Sequence, residues 1–155
     1  MTHLSNIRSA SMLLVAEDAL GLALGRRLVQ EHDALSVWRE INARGFSAIK
    51  QDITKYNNLA RNGVPVLILT DLDSRACCRL LMDEWFGGRP AKIRNGLLPE
   101  RESTARIGPR YNELLLPLLA AWNIDQAAKS APSLAKARHR IGELAQRVRD
   151  GGCKP

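Results

Sequence analysis

A chain of 155 residues with 45% hydrophobic and 25% charged residues has the length and balance of one globular domain with its own core. No apolar run approaches the roughly 20 residues of a membrane helix. The opening MTHLSNIRSASMLLVAED lacks the long apolar region and small-residue cleavage site of a signal peptide, so a cytoplasmic protein with no membrane partner is expected.

Residues 11–16, SMLLVA, form a short apolar run that ends on Glu17 and Asp18 and reads as a buried strand. From Ala19 to His32 the residues Leu20, Ala23, Leu24 and Leu28 recur at helical spacing. Leu35 to Ile41 reads as a second strand with Val37 and Trp38 buried, and Gly45 breaks the pattern. Residues 50–61 read as a helix with Ile53, Tyr56 and Leu59/Ala60 on one face, ended by Asn62-Gly63. The run VPVLILT, opened by Pro65, is continuously apolar, as a central parallel strand covered on both faces should be. It ends at Asp71-Leu72-Asp73. A helix is expected from Ser74, as N-cap, to about Trp85, stopped by Gly87-Gly88 and Pro90.

Residues 89–108 read as an Arg-, Gly- and Pro-rich connector. Pro109 suits the first turn of a helix to about Trp122, with a kink or break at Pro117. Residues 133–149 read as an amphipathic helix. Its apolar face is Leu134, Ala137, Ile141, Leu144, Ala145 and Val148, and Lys136, Arg138, Arg140, Arg147 and Arg149 lie elsewhere on it. Strands alternating with helices predict an α/β fold: a small, Rossmann-like, mostly parallel sheet flanked by helices, followed by a helical basic C-terminal part. The expected organisation is a core over 1–88, a connector and helices packed on it over 89–150, and a flexible tail over 151–155, one domain in all.

The net charge of +7 is unevenly placed. Residues 1–88 carry ten Lys/Arg and ten Asp/Glu, and residues 89–155 carry thirteen against six. A basic half joined to a neutral, acid-bearing half fits a polyanion partner, although solubility alone also accounts for it. Three cysteines, two of them adjacent at Cys77 and Cys78, give neither a disulfide framework nor zinc-ligand spacing. His3, His32 and His139 are scattered, and no phosphate-binding glycine loop is present. Trp38, Trp85 and Trp122 are expected in the core rather than as base-stacking platforms.

The acids at the strand ends are the main chemical signal. In an open α/β sheet, ligands bind beyond the carboxyl ends of the strands. Glu17 and Asp18 follow the first strand, and Asp71 and Asp73 follow the most apolar one. Clustered carboxylates repel one another, and a bound Mg²⁺ relieves that repulsion. Asp18 and Asp73 also fit as plain helix caps. In the basic part, Arg101, Ser103, Thr104, Arg106 and Arg110 gather donors suited to phosphate oxygens, or simply form a solvated loop ahead of a helix.

The pairing of LLVAEDALGLALGRRL with VPVLILTDLD resembles the Toprim domain of topoisomerases, primases and overcoming-lysogenization-defect nucleases. The stretch LLPERESTARIGPRYNELLLPLLAAWN is similar to the carboxy-terminal part of uncharacterised bacterial Toprim-like domains of unknown function. The resemblance implies a Toprim fold, Glu17 as general acid/base, Asp71 and Asp73 as Mg²⁺ (or Mn²⁺) ligands, and action on nucleic-acid phosphodiesters; the three carboxylates are expected to converge within reach of one metal ion, with Glu17 a further member of the metal set. Two departures stand out. Asp18 replaces the glycine usual after that Glu, and the segment between Trp85 and Leu97 is shorter than in those relatives. A non-catalytic relic that binds nucleic acid or a partner protein is the alternative reading. LLVAEDAL also resembles a response-regulator receiver, but a receiver needs a Lys at the end of a late strand, and no such strand is visible after residue 90.

Overall fold

In the computed structural model the residues described are 9–70, 95–97, 104 and 108–151. Contacts divide the chain into two units, one of Met1–Thr70 with Asn123–Pro155 and one of Asp71–Trp122.

The first unit begins with strand β1, Ala10–Ala16, then helix α1, Ala19–Gln30, strand β2, Leu35–Asn42, helix α2, Phe46–Arg61, and strand β3, Val66–Leu69. The three strands form a parallel sheet in the order β2-β1-β3. The fold is therefore α/β, with an open parallel sheet flanked by helices and a helical C-terminal part. β1 is central among the described strands, which is why MLLVA is apolar without alternation: both of its faces are covered. Leu13 and Val15 pack with Ile49, Tyr56 and Leu59 of α2, while Leu14 and Ala16 pack with Leu22 of α1. β3 divides in the same way, Val66 and Ile68 towards α2 and Leu67 and Leu69 towards α1. The chain leaves β1 in one direction for β2 and returns past it for β3. Right-handed crossovers then require the two helices on opposite faces, where they are found.

β2 carries an irregularity that the sequence pattern does not show. Met12 is registered with Val37 and Leu13 with Arg39, so Trp38 is an extra residue with no partner on β1. An uninterrupted strand would put Val37 and Ile41 on one face. Here Val37 packs on the α1 side and Ile41 on the α2 side. The extra residue exchanges the faces, as a bulge does. Glu40 accordingly meets Arg26 of α1, at 3.3 Å. Trp38, expected in the core, is instead 54% exposed. Ile53 also departs from its expected burial, since the α2 seam runs through Ile49 and Tyr56 and leaves Ile53 at 39%.

The helix α3, Tyr111–Ala121, belongs to the second unit. It starts two residues later than Pro109 suggests and continues unbroken through Pro117. The ring removes the bond to the carbonyl of Glu113, a residue on the exposed side, where water can replace the missing donor.

Back in the first unit, the chain forms α4, Ile124–Ser130, and α5, Pro132–Arg149. α4 was not expected; Asn123 starts it, its Oδ1 accepting the N–H of Gln126 at 2.9 Å. α5 begins with Pro132 in its first turn and buries Ile141, Ala145 and Val148, the centre of its expected apolar face. Arg138 joins three helices: it meets Glu31 just past α1 at 3.0 Å and Asp125 of α4 at 2.8 Å. These carboxylates hold its guanidinium pKa above the ordinary arginine value, chiefly through the hydrogen bonds to Glu31 and then Asp125.

Gly25 shows how tightly α1 sits on the sheet. A Cβ there would lie 2.4 Å from Cδ1 of Leu14 and 3.0 Å from Cδ1 of Leu69. Gly25→Ala should therefore destabilise the protein by about 1 kcal/mol, because an overpacking cost of about 1–3 kcal/mol exceeds the helix-propensity gain of about 1 kcal/mol. Urea unfolding midpoints check this; a more stable variant would show that Leu14 has room to turn.

Candidate functional site

β1 and β3 run side by side to their carboxyl ends, where Ala16 is registered with Leu69. In this strand order the connections leave β1 on opposite sides, and the crevice beyond β1 and β3 is the switch point at which open α/β sheets bind ligands. Glu17 is the first residue past β1 and is half-buried. Thr70 is the first past β3 and is exposed.

Asp18 has extended backbone geometry at the N-cap of α1, and its Oδ1 accepts the N–H of Gly21 at 2.8 Å. Of its two sequence readings, capping is the one realised. The cap draws the first turn of α1 onto the strand end: a Cβ on Gly21 would lie 2.9 Å from Cβ of Ala16. Glu17 lies between that cap and the end of β1.

The loop from β2 to α2 is fastened to the same edge. The N–H of Ala43 donates to the carbonyl of Ala16 at 2.8 Å, and that of Gly45 to the carbonyl of Glu17 at 3.1 Å. Two successive residues with positive φ make this approach possible, Arg44 at 57° and Gly45 at 125°. Arg44 is steadied by its N–H donating to Oδ1 of Asn42 at 3.1 Å. Gly supplies such a conformation without steric cost, whereas Arg adopts it rarely. Phe46 opens α2 immediately afterwards and is 53% exposed. Sequence reasoning treated Gly45 only as a break and passed over Arg44 and Phe46. The available signal was a cation, a glycine and an aromatic directly after a strand.

Asp71 and Asp73, the expected metal ligands, lie outside the described residues, as does the helix expected after them. Arg101, Ser103 and Arg106 do too. Among the described residues no three His, Cys, Asp or Glu side chains come together as a metal-binding group.

The second unit contains Thr104, which is exposed, and Arg110, which is half-buried. The backbone around Arg110 is pinned by its own N–H to the carbonyl of Gly96 at 2.9 Å and by the Gly108 N–H to that of Leu97 at 2.8 Å. Its guanidinium meets Glu113, one turn on, through Nε to Oε2 at 3.0 Å and Nη2 to Oε1. The hydrogen bonds hold Glu113 below the usual carboxylate range and Arg110 above its ordinary value. A phosphate at Arg110 would compete with this partner.

No described helix is long and apolar enough to cross a membrane. Comparison of the chain with protein-family models, curated proteins and solved structures gave no match in any of the three.

Proposed function

We propose that the carboxyl edge of β1 and β3 serves a Mg²⁺- or Mn²⁺-dependent, Toprim-like site that processes phosphodiester bonds of nucleic acid. Glu17 acts as general acid/base, and Asp71 and Asp73 supply the carboxylates that hold the metal. The observation that carries this reading is the parallel register of β1 and β3. It sets the strand that delivers Glu17 beside the strand after which the sequence runs directly into Asp71. Carboxylate oxygens are the hard donors that Mg²⁺ prefers. A metal held there supplies a Lewis acid to the phosphoryl oxygen. Glu17 is a carboxylate able to take a proton from an attacking water and return it to the leaving oxygen. The basic excess of residues 89–155 fits a polyanionic substrate.

Titration calorimetry with Mn²⁺ tests the site. Wild-type protein should bind weakly, the double variant Asp71→Asn, Asp73→Asn should lose binding altogether, and Glu17→Gln should retain part of it. Unchanged affinity in the double variant removes the site. The second reading, a relic that binds without turnover, is favoured by the short interval from Trp85 to Leu97 and by Asp18 in place of a glycine. Metal-dependent cleavage of labelled DNA or RNA, abolished by Glu17→Gln, separates an enzyme from that relic.

A further inference from the structure

We infer that Arg44 and Phe46 form a lip for a single-stranded nucleotide beside Glu17, with the Phe46 ring stacking on an unpaired base and the Arg44 guanidinium on the adjoining phosphate. The inference rests on reading the neighbouring edge as a nucleic-acid site, and it adds a strand preference and two recognition residues to that reading.

Two observations at one place carry it. Phe46 stands at the start of α2 with 53% of its surface exposed, one of the most exposed large apolar side chains among the described residues. Phe46 is not among the described residues packed in the core cluster that contains Ile49 and Tyr56 of the same helix. Arg44 is exposed two residues earlier and has no ion-pair partner among the described residues, unlike Arg26, Arg110, Arg138 and Arg140. It is held with positive φ where a glycine would sit without strain. The Gly45 N–H bond to the Glu17 carbonyl fixes both residues to the end of β1.

Clearance is consistent with a ligand here. A Cβ on Gly45 would meet nothing within 4 Å beyond its two chain neighbours, so no other described residue crowds the backbone there. The start of α2 has no side-chain cap, so its dipole adds to the attraction for an anion. An aromatic face and a cation are the pair of groups that single-stranded nucleic acid recognises, because each of its bases exposes a face for stacking and each phosphate a charge. A duplex keeps its bases stacked and offers nothing to Phe46.

The test uses the full chain and fluorescein-labelled oligothymidylate and oligouridylate of about 15 nucleotides, with a duplex of equal length, in fluorescence anisotropy titrations. Phe46→Ala should weaken binding of the single strands about 10-fold and leave the duplex unchanged, and Phe46→Tyr should restore it. Arg44→Gly should make the slope of log affinity against log salt shallower by about 0.7. Arg44→Gly should also leave the thermal midpoint equal or higher, since it relieves the positive φ; a purely structural arginine would lower it. Lys55→Ala, an exposed charge further along α2, serves as a control and should change single-strand affinity less than Arg44→Gly does. If the protein binds single strands and neither Phe46→Ala nor Arg44→Gly weakens them, the lip is wrong while the nucleic-acid reading stands. If wild-type protein binds no strand at low salt, with or without Mn²⁺, both fall together. DNA and RNA probes behaving alike supports the lip, because stacking and a phosphate contact do not read the sugar; a defect confined to duplex overturns it.

Discussion

Leu14→Ala should destabilise the protein by about 3–5 kcal/mol, the upper part of the range for a buried leucine cut to alanine. Leu14 has no exposed surface and lies in the middle of the central strand β1. It packs in the cluster with Ala16 and Leu22, against which Val37, Leu67 and Leu69 also lie. The cost of such a truncation depends on whether the surroundings can collapse into the space left. Here they are held from several sides. β1 is hydrogen-bonded to a strand on each side, and α1 approaches through a glycine, whose hypothetical Cβ would already sit 2.4 Å from Leu14. A helix seated that closely has little further to move. Urea unfolding should show the midpoint falling with the slope unchanged, because the surface exposed on unfolding is nearly the same. Ile53→Ala, on the half-exposed flank of α2, should cost far less and serves as the reference. A loss for Leu14→Ala below about 1 kcal/mol would mean that α1 is not tightly seated and that the close approach at Gly25 is not a packing constraint.

The parts of this architecture that were legible are those set by short-range pattern. SMLLVA is apolar without alternation, and β1 is indeed covered on both faces, whereas VPVLILT, expected to be the central strand, gives β3, which stands at the end of the order of the described strands with all four residues half-buried. Asp18 is a capping residue in sequence and in structure, and Ile141, Ala145 and Val148 recur at the spacing of one buried helical stripe. What escaped depends on partners distant in the chain. Whether Trp38 points inwards is decided by its pairing with β1, and the extra residue there is visible only in the register. Arg44 and Phe46 acquire their position from the Gly45 bond to the Glu17 carbonyl, a contact between residues 28 apart that no local pattern encodes. Helix α4 is a different case: Asn123 as cap and Asp125 in the first turn are local signals, but seven residues hold too little periodicity to stand out. Glu17 was legible as a candidate because its position follows from the end of a strand, whereas Asp71, Asp73, Arg101, Ser103 and Arg106 lie outside the described residues.

Replacing Arg101, Arg106 and Arg110 together by Ala should abolish most of the salt dependence of nucleic-acid binding. If each arginine neutralises one phosphate of a duplex, the three add about 2.7 to the slope of log affinity against log salt. Raising salt fourfold would then weaken wild-type protein by about 40-fold through these contacts alone, and the triple variant would lack that loss. The effect should be alike for unrelated sequences, because phosphate contacts position a duplex without reading it. Arg110 makes a further distinction possible. Its fork is occupied by Glu113, so phosphate binding there must displace a carboxylate. Glu113→Gln should therefore strengthen binding in wild-type protein and do nothing once Arg110 is Ala. Acidification should not mimic that variant in the ordinary range. The pair holds the Glu113 carboxyl below its usual value, so it remains ionised as pH falls through about 7 to 5 and releases Arg110 only below the unperturbed carboxylate range. Anisotropy titrations across salt, for the wild type, the triple variant and Glu113→Gln, decide the matter. If the triple variant keeps the full salt slope, the cations that meet phosphate are elsewhere, and Arg44 with Lys136 and the exposed arginines of α5 would be the next to replace.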